Sequence, residues 1–282
     1  MPNLFSVAIP TFNEENRIEK VIKNYIKYTD DIIVLDKNSN DKTLEICNFY
    51  NVKVVSYKSG IDETDGTKIV NDLAKYEWIL YATCSEIAPI MLLNEFEKVV
   101  LLSQSMDYRA AVFNRISYTN GFITHNQKSY YRNFKNGFYS RFINKKYFDS
   151  ENSRIHFESP VIANKKHIYI INPEIAQIHI RNDDLTNIEI KHTRYADIDA
   201  FSMYKKNRPG SFLKLFFRPL YHFYKLYIYN YKNGFTGFLI SVSQALYVFQ
   251  VELRLLCYKY NYNKETIVEN NKQIINKYYN EI

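Results

Sequence analysis

Three short polar segments each follow an apolar run, and their side chains have the types needed to hold a nucleotide. They are Pro10-Thr11-Phe12-Asn13-Glu14, Asp36 to Thr43, and Thr83-Cys84-Ser85-Glu86. A carboxylate directly after a strand, such as Asp36, can accept a hydrogen bond from the N3–H of a uracil ring. Asp41 suits a helix cap equally well, and Asn13 and Glu14 also fit a helix cap and first turn. The segments together favour a binding site, most clearly at Asp36.

The apolar runs before these segments have the pattern of buried parallel strands. The runs are Leu4 to Ile9, Ile32 to Leu35, Val52 to Ser56 and Trp78 to Ala82, with apolar residues at helical spacing between them. A helix after Pro89, a β-rich stretch from Arg109 to Ile180 and a helical end are expected to follow. Alternating strands and helices predict a doubly wound sheet, and such sheets bind ligands outside the carboxyl ends of their strands. The polar segments should therefore meet in one crevice.

The first two segments resemble those of a family 2 glycosyltransferase of the GT-A type. In that family P-x-(Y/F)-N-E and D-x-x-S-x-D-x-T line the uridine pocket, and both patterns are present at Pro10 and Asp36. The resemblance implies an α/β fold, the GT-A nucleotide-diphospho-sugar transferase fold, with a Rossmann-like, mostly parallel sheet flanked by helices and a C-terminal helical appendage. It also implies donor-binding roles for Pro10, Thr11, Phe12, Asn13, Glu14, Asp36, Ser39, Asp41, Lys68, Thr83, Ser85, Glu86 and Arg141.

The family's third motif, the metal-binding D-x-D, is replaced here by Thr83-Cys84-Ser85. Hydroxyls are poor substitutes for carboxylates around a hard cation, so no metal cofactor is expected. The alternative is Mn or Mg held weakly by Glu86 and His179. Without a metal, cationic side chains must balance the donor diphosphate. The candidates are Lys68, Arg141, Lys145 and Arg181, and Arg141 is favoured because Ser140-Arg141-Phe142 resembles the family's R-x-F segment.

An inverting transferase also needs a base for the acceptor hydroxyl. The segment Arg154-Ile155-His156-Phe157-Glu158 resembles the family's V-H-E segment with one residue inserted. Glu158 is the favoured base and His156 the second candidate, with Asp149 and Glu151 as weaker alternatives. His179 matches a histidine after the family's last strand, although its apolar neighbours also suit a core histidine.

The composition is that of a folded protein from a reducing compartment. The 282 residues are 46% hydrophobic, and the three cysteines lie far apart, which supports neither a disulfide framework nor a structural zinc site. The first residues lack the pattern of a signal peptide, and no run of about 18 apolar residues predicts a spanning helix. The expectation is a cytoplasmic protein with a GT-A domain at residues 1–185 and a helical region at residues 186–282.

The net charge of +7 is concentrated in the helical end. Between residues 200 and 251 there is no carboxylate and there are seven cations, Lys205, Lys206, Arg208, Lys214, Arg218, Lys225 and Lys232. On one helix the last four would form a stripe among aromatic residues, which predicts docking on the anionic inner face of the cytoplasmic membrane. The alternative is that the aromatics pack on the GT-A domain. Nucleic-acid binding is not expected, because no motif supports it.

The helical end also resembles the tail of bacterial lipopolysaccharide-core sugar transferases. The matching segments are Lys191 to Asp197 and Arg218 to Phe249. The resemblance implies inverting transfer of a sugar from a nucleotide-diphosphate donor, a uridine one, to a hydroxyl of lipopolysaccharide, lipooligosaccharide or capsule, with lipid-linked acceptors included. The loss of the D-x-D pair makes metal-independent transfer the expectation. A catalytically degenerate relative that binds nucleotide-sugar or a partner is the alternative. The oligomeric state is not indicated.

Overall fold

The computed structural model describes residues 4–56, 64–126, 141–148, 163–181, 184–208 and 210–279. The chain divides into two compact units, Met1–Tyr118 with His125–Arg181, and Thr119–Thr124 with Asn182–Ile282. The first unit is α/β and the second is mainly helical. The division falls after Arg181, where the last strand ends, rather than at the residue 185 expected from the sequence.

The α/β unit is built on a seven-stranded sheet. Its strands are β1 (Phe5–Thr11), β2 (Ile32–Asp36), β3 (Lys53–Ser56), β4 (Trp78–Tyr81), β6 (Ala110–Val112), β9 (Phe142–Asn144) and β10 (Ile168–Ile170). They lie in the order β10-β6-β9-β4-β1-β2-β3. All neighbouring pairs are parallel except those of β9, which runs antiparallel between β4 and β6. The register pairs Thr11 with Asp36, so the first two polar segments leave adjacent strands side by side.

Helices cover both faces of this sheet, which explains why its strands are continuous apolar runs. The helices are α1 (Ile18–Tyr25), α2 (Thr43–Phe49), α3 (Thr64–Leu73) and α4 (Ile90–Leu102). Alternate residues of β2 face opposite layers: Val34 belongs to the core that includes Phe96 of α4, whereas Ile33 and Leu35 pack with Val70 of α3. Burial of each such side chain contributes about 1.5 to 3 kcal/mol.

A second, four-stranded sheet was not anticipated as a separate element. It consists of β5 (Glu86–Ile87), β7 (Asn114–Thr119), β8 (Phe122–Asn126) and β11 (Ala176–Arg181), in the order β5-β11-β7-β8. In the antiparallel pair of β5 and β11, Glu86 lies opposite His179. Glu86 is therefore a strand residue with 1% exposure, not part of an open loop after β4.

The helical unit contains α5 (Leu185–Lys205), α6 (Phe212–Asn230), α7 (Gly234–Lys259) and α8 (Lys264–Tyr279). Gly237 lies so close to the end of α6 that an added Cβ would be 2.0 Å from the Asn230 carbonyl oxygen. At the other end, Gly210 lies against Leu255 and Leu256 of α7. The helices α6 and α7 therefore run antiparallel in close contact.

The stretch Phe212–Lys259, which comprises α6, the turn after it and α7, is long and apolar enough to cross a membrane by length and composition, and 28% of its most apolar window is buried. One expectation about this region is corrected by the structure. The four cations Lys214, Arg218, Lys225 and Lys232 do not form one helical stripe. Arg218 forms an ion pair with the fully buried Glu252, and Lys232 lies in a 3-10 turn after α6.

Candidate active site

The loops after β1 and β2 are joined by hydrogen bonds into one structure. The Asn13 backbone N–H donates to Ser39 Oγ at 2.9 Å, and the Asn40 N–H donates to Asn13 Oδ1 at 2.9 Å. The Glu14 N–H donates to Thr43 Oγ1 at 2.7 Å. Asn13 has a φ of 54°, a left-handed conformation that asparagine tolerates better than most residues. The two sequence motifs are thus joined at the carboxyl ends of β1 and β2.

Asp36 organises the second of these loops. It is fully buried; its Oδ2 accepts from the Ser39 N–H at 3.0 Å and its Oδ1 from the Ser39 hydroxyl at 2.5 Å. The Thr11 hydroxyl lies 3.5 Å from the same Oδ1. The carboxylate therefore shapes the loop, and its contact with a uracil ring stays a prediction.

The remaining residues of these motifs have different surroundings. Asp41 lies one residue before Lys42, the N-cap of α2, and is not itself the cap; it accepts from the N–H and hydroxyl of Thr43 at 3.0 and 2.5 Å and from the Glu15 N–H at 3.0 Å. Phe12 is 56% exposed and Pro10 is partly buried. The Glu14 carboxylate pairs with Arg17 at 2.6 Å. Lys68 lies exposed on α3.

The segment Thr83-Cys84-Ser85 directly precedes the buried carboxylate of Glu86. The hydroxyls of Thr83 and Ser85 lie 3.0 Å apart, and both residues are partly exposed. The Thr83 N–H donates to Glu86 Oε2 at 3.1 Å. Cys84 is buried, and burial raises the pKa of its thiol above the usual value, so it remains protonated. This segment offers hydroxyls at the surface and one carboxylate beneath them.

Two arginines hold that carboxylate. Arg141 Nη1 lies 2.5 Å from both oxygens of Glu86, and Arg115 Nη1 lies 3.1 Å from Oε1. Burial acts to raise the pKa of Glu86, but the charges of Arg141 and Arg115 outweigh burial and keep the pKa below its usual value. Glu86 is therefore ionised at neutral pH and committed to the two guanidinium groups.

Two histidines lie in the field of the same cluster. His179 Nδ1 lies 3.1 Å from Ser117 Oγ. Burial, followed by the charge of Arg115, lowers the pKa of His179 to about 4, with smaller contributions from Arg181 and Arg141. His125 is exposed at the end region of β8, and partial desolvation of its ring together with the charges of Arg115 and Arg181 lowers its pKa. His179 is therefore neutral at pH 7, and its imidazole adds no charge to the cluster.

These residues do not fit a divalent metal ion. Both Glu86 oxygens accept from guanidinium groups, and the hydroxyls of Thr83 and Ser85 are weak ligands for a hard cation. Within the described ranges, no group of three or more His, Cys, Asp or Glu side chains is placed to hold a metal. The alternative of a weak site at Glu86 and His179 would require Glu86 to leave its arginines.

Sequence reasoning named Arg141 but missed Arg115, Ser117 and His125. Arg115 and Ser117 alternate with apolar residues on one strand, a pattern that gives no sign of a distant partner. Lys145, considered for the diphosphate, donates instead to the carbonyl oxygens of Asn71 and Ala74 at 3.2 and 2.6 Å, at the end of α3. The candidate bases, Glu158 and His156, lie outside the described residues, as do the alternatives Asp149 and Glu151.

The N-terminal part of the chain is similar to a known family. Residues 6–83 match the sequence profile of Glycosyl transferase family 2. An uncharacterized glycosyltransferase of Rickettsia bellii (strain RML369-C) is 27% identical over 260 residues, which cover 89% of this chain and 84% of that protein.

Two solved structures match parts of this chain. The mannosyltransferase PcManGT of Pyrobaculum calidifontis, in complex with GDP-Man and Mn2+, has a TM-score of 0.50 and 11% identity, covering 96% of this chain and 79% of that chain. TarS 1-349 of S. aureus, in complex with UDP-GlcNAc, has a TM-score of 0.49 and 13% identity; the match covers 70% of this chain but less than two thirds, 65%, of that one. The GT-A fold and the C-terminal helices expected from the sequence are confirmed.

Proposed function

We propose that this chain, whose residues 6–83 match the profile of Glycosyl transferase family 2 and which has a GT-A fold, transfers a sugar from a uridine diphosphate donor to a hydroxyl of a bacterial surface glycan. The observation that carries this proposal is the interlocked pair of loops after β1 and β2. They lie at the carboxyl ends of adjacent parallel strands, the edge at which doubly wound sheets bind ligands. The acceptors are lipopolysaccharide, lipooligosaccharide or capsule precursors, lipid-linked ones included.

The chemistry would be a single inverting displacement. A base removes the proton of the acceptor hydroxyl, the oxygen attacks the anomeric carbon, and the nucleoside diphosphate leaves from the opposite face. Negative charge builds on the leaving diphosphate and needs a positive partner at that point. We assign the base to Glu158, with His156 second, on sequence grounds, and the charge balance to arginine rather than metal.

Turnover should proceed without divalent metal. In excess chelator, we expect the rate of sugar transfer from a UDP-sugar to stay within about twofold of the rate with Mn²⁺, since Thr83 and Ser85 supply no carboxylate pair. Product formation with a panel of nucleotide-sugars and glycan acceptors is the measurement.

The Glu158→Gln variant shows whether the measured transfer depends on the proposed base. Its rate should be lower by about 100-fold or more, the usual contribution of a general base. Loss of transfer on chelation with recovery on adding Mn²⁺ would refute metal independence. Donor binding without transfer to any acceptor would favour the second candidate function, a relative that binds nucleotide-sugar and has lost catalysis. The expected replacement of both motif aspartates is the observation that favours this candidate.

The proposal includes docking on the inner face of the cytoplasmic membrane, and helix α6 supports it. This helix buries only Leu215, Pro219 and Asn230. Its exposed large apolar residues are Phe212, Leu213, Phe216, Phe217, Leu220, Tyr221, Tyr224, Tyr227, Ile228 and Tyr229. A patch of that size marks an interaction surface, and aromatics combined with lysines suit the headgroup region of a bilayer. Lys214, Lys225 and Lys232 are exposed and supply the positive charge.

The protein should bind vesicles that contain anionic lipid, and binding should weaken with salt. The triple variant Lys214→Glu, Lys225→Glu, Lys232→Glu should bind at least about tenfold more weakly, since each cation near an anionic surface contributes about 1 kcal/mol. Arg218 is left unchanged because it pairs with buried Glu252.

Co-sedimentation measures the binding. A variant with the same charge change at exposed lysines of the α/β unit, Lys20, Lys27 and Lys166, is the matched control. Absence of binding at low salt, or equal weakening in the control, would count against docking through α6.

A further inference from the structure

Two side chains of the loop after β2 hold the backbone of the loop after β1. Thr43 Oγ1 accepts from the Glu14 N–H at 2.7 Å, and Asp41 Oδ2 accepts from the Glu15 N–H at 3.0 Å. The two side chains are themselves joined, because the Thr43 hydroxyl donates to Asp41 Oδ1 at 2.5 Å. Two consecutive N–H groups of the first loop are therefore fixed by one bonded pair of side chains from the second.

Asp41 and Thr43 direct their polar atoms at the protein itself. Thr43 is fully buried, and its hydroxyl gives its one proton to Asp41. Burial acts to raise the pKa of Asp41, but hydrogen bonds from the Thr43 hydroxyl and from the N–H groups of Glu15 and Thr43 outweigh it and keep the pKa below its usual value. Asp41 is therefore ionised at neutral pH, and its charge stabilises the two loops.

The backbone that this pair holds is in an uncommon conformation. Asn13, which directly precedes Glu14, has a φ of 54°. A residue other than glycine keeps such a conformation only where its surroundings hold it. Asn13 belongs to the segment assigned to the donor, so the share of molecules with this loop in place limits the apparent donor affinity. The bonds at Glu14 and Glu15 raise that share.

We propose that Asp41 and Thr43 are positioning residues of the donor site, which hold residues 13–15 in the binding conformation before the donor arrives and do not touch the donor themselves. The inference rests on the proposed function and deepens it. It gives Asp41 a different role from the donor contact that the family resemblance implies. A loop that is already in place spares the donor the cost of ordering it, which favours association.

The test measures binding of two probes, UDP and GDP, to Thr43→Val, in which a methyl group replaces the hydroxyl. Calorimetry should show UDP affinity about 10-fold lower, because the Glu14 N–H and Asp41 both lose a partner and fewer molecules have the loop in place. Surface plasmon resonance should find this loss in the association rate, with the dissociation rate within about twofold of the parent. Thr43→Ser, which keeps the hydroxyl, should restore UDP affinity to within about threefold.

The matched control is Thr29→Val, since Thr29 is also a buried threonine with two hydrogen bonds. Thr29 is 1% exposed, donates to the Phe5 carbonyl oxygen at 2.6 Å and accepts from the Asp31 N–H at 3.0 Å, at the opposite end of β1. The temperature of thermal unfolding should fall in both valine variants, whereas UDP affinity should fall only in Thr43→Val. A purely structural role of Thr43 would leave UDP affinity equal in the two variants.

Turnover and a second variant extend the test. In Thr43→Val the KM for the donor should rise about 10-fold while kcat stays within about twofold, because the loop affects donor binding and not the chemical step. Asp41→Asn should weaken UDP in the same way, and it carries the test if Thr43→Val does not fold. Because both residues act on one loop, the double variant should bind UDP at most about twofold more weakly than the weaker single variant.

The outcomes separate this inference from the proposed function. Parent-like UDP affinity in both Thr43→Val and Asp41→Asn overturns the positioning role and leaves the proposed function standing. A loss found in the dissociation rate does the same, since it indicates direct contact with the donor. Equal loss in Thr29→Val also overturns the positioning role. A parent protein that binds GDP and not UDP overturns the uridine donor, while weaker GDP binding by Thr43→Val alone would still support positioning. Binding of neither nucleotide by the parent overturns both.

Discussion

Replacement of Glu86 by alanine is expected to lower the free energy of unfolding by about 3 to 5 kcal/mol, the usual cost of removing one partner of a buried ion pair. Glu86 is 1% exposed and accepts hydrogen bonds from Arg115, Arg141 and the Thr83 N–H. The variant would leave two guanidinium groups close together without their carboxylate. Urea denaturation at pH 7, followed by circular dichroism, measures the change.

The control is Glu19→Ala, since Glu19 pairs with Lys23 at the surface, where solvent screens the pair and its loss should change stability little. Because the folded-state pKa of Glu86 is lowered, its contribution is present above the unfolded-state pKa and is lost as the pH falls through the folded-state value. The difference between parent and Glu86→Ala should therefore shrink in acid. If the free energy of unfolding falls by less than about 1 kcal/mol at pH 7, Arg115 and Arg141 do not need the Glu86 carboxylate for the stability of the fold.

Gly237→Ala should destabilise the helical unit by about 3 kcal/mol, at the upper end of the range for overpacking. The added Cβ would lie 2.0 Å from the Asn230 carbonyl oxygen and 2.8 Å from its carbonyl carbon, and backbone atoms cannot rotate away. The gain in helix propensity, about 1 kcal/mol, offsets only part of this cost. Thermal unfolding followed by circular dichroism measures the effect.

Gln244→Ala, in the same helix, is the control and should change stability by less than about 0.5 kcal/mol. Because Gly237 sets the approach of α7 to α6, the Gly237→Ala variant should also bind anionic vesicles less well. Full stability with unchanged vesicle binding would show that the helix pair accommodates a wider separation.

The sequence predicted the parts of the fold that depend on local pattern. The apolar runs that became β1, β2 and β4 were located to within two residues at their starts and ends, because strands buried on both faces have few polar residues. The loops after β1 and β2 were also found, since their capping and turn residues lie in short motifs. Ser39 and Thr43, in the second motif, then accept hydrogen bonds from the backbone of the first motif.

The cluster of Glu86 with Arg115 and Arg141 could not be predicted in the same way, because its members are distant in sequence. Glu86 is 29 positions from Arg115 and 55 from Arg141. The strands that bring them together include β9, with three residues, and β5, with two, too short to give a periodic pattern. Likewise, Arg218 looked like a surface cation because Glu252, its partner, follows 34 positions later.

The antiparallel insertion of β9 between β4 and β6 sets an order for folding during synthesis. The parallel core of β1, β2 and β4 is complete once residue 81 has been made, but β4 then has an unpaired edge. That edge is closed only when residues 142–144 leave the ribosome, about sixty residues later, which at 5 to 20 residues per second is roughly 3 to 12 s. An open edge strand is a template for pairing with other chains. This interval is therefore when the nascent protein most needs a chaperone.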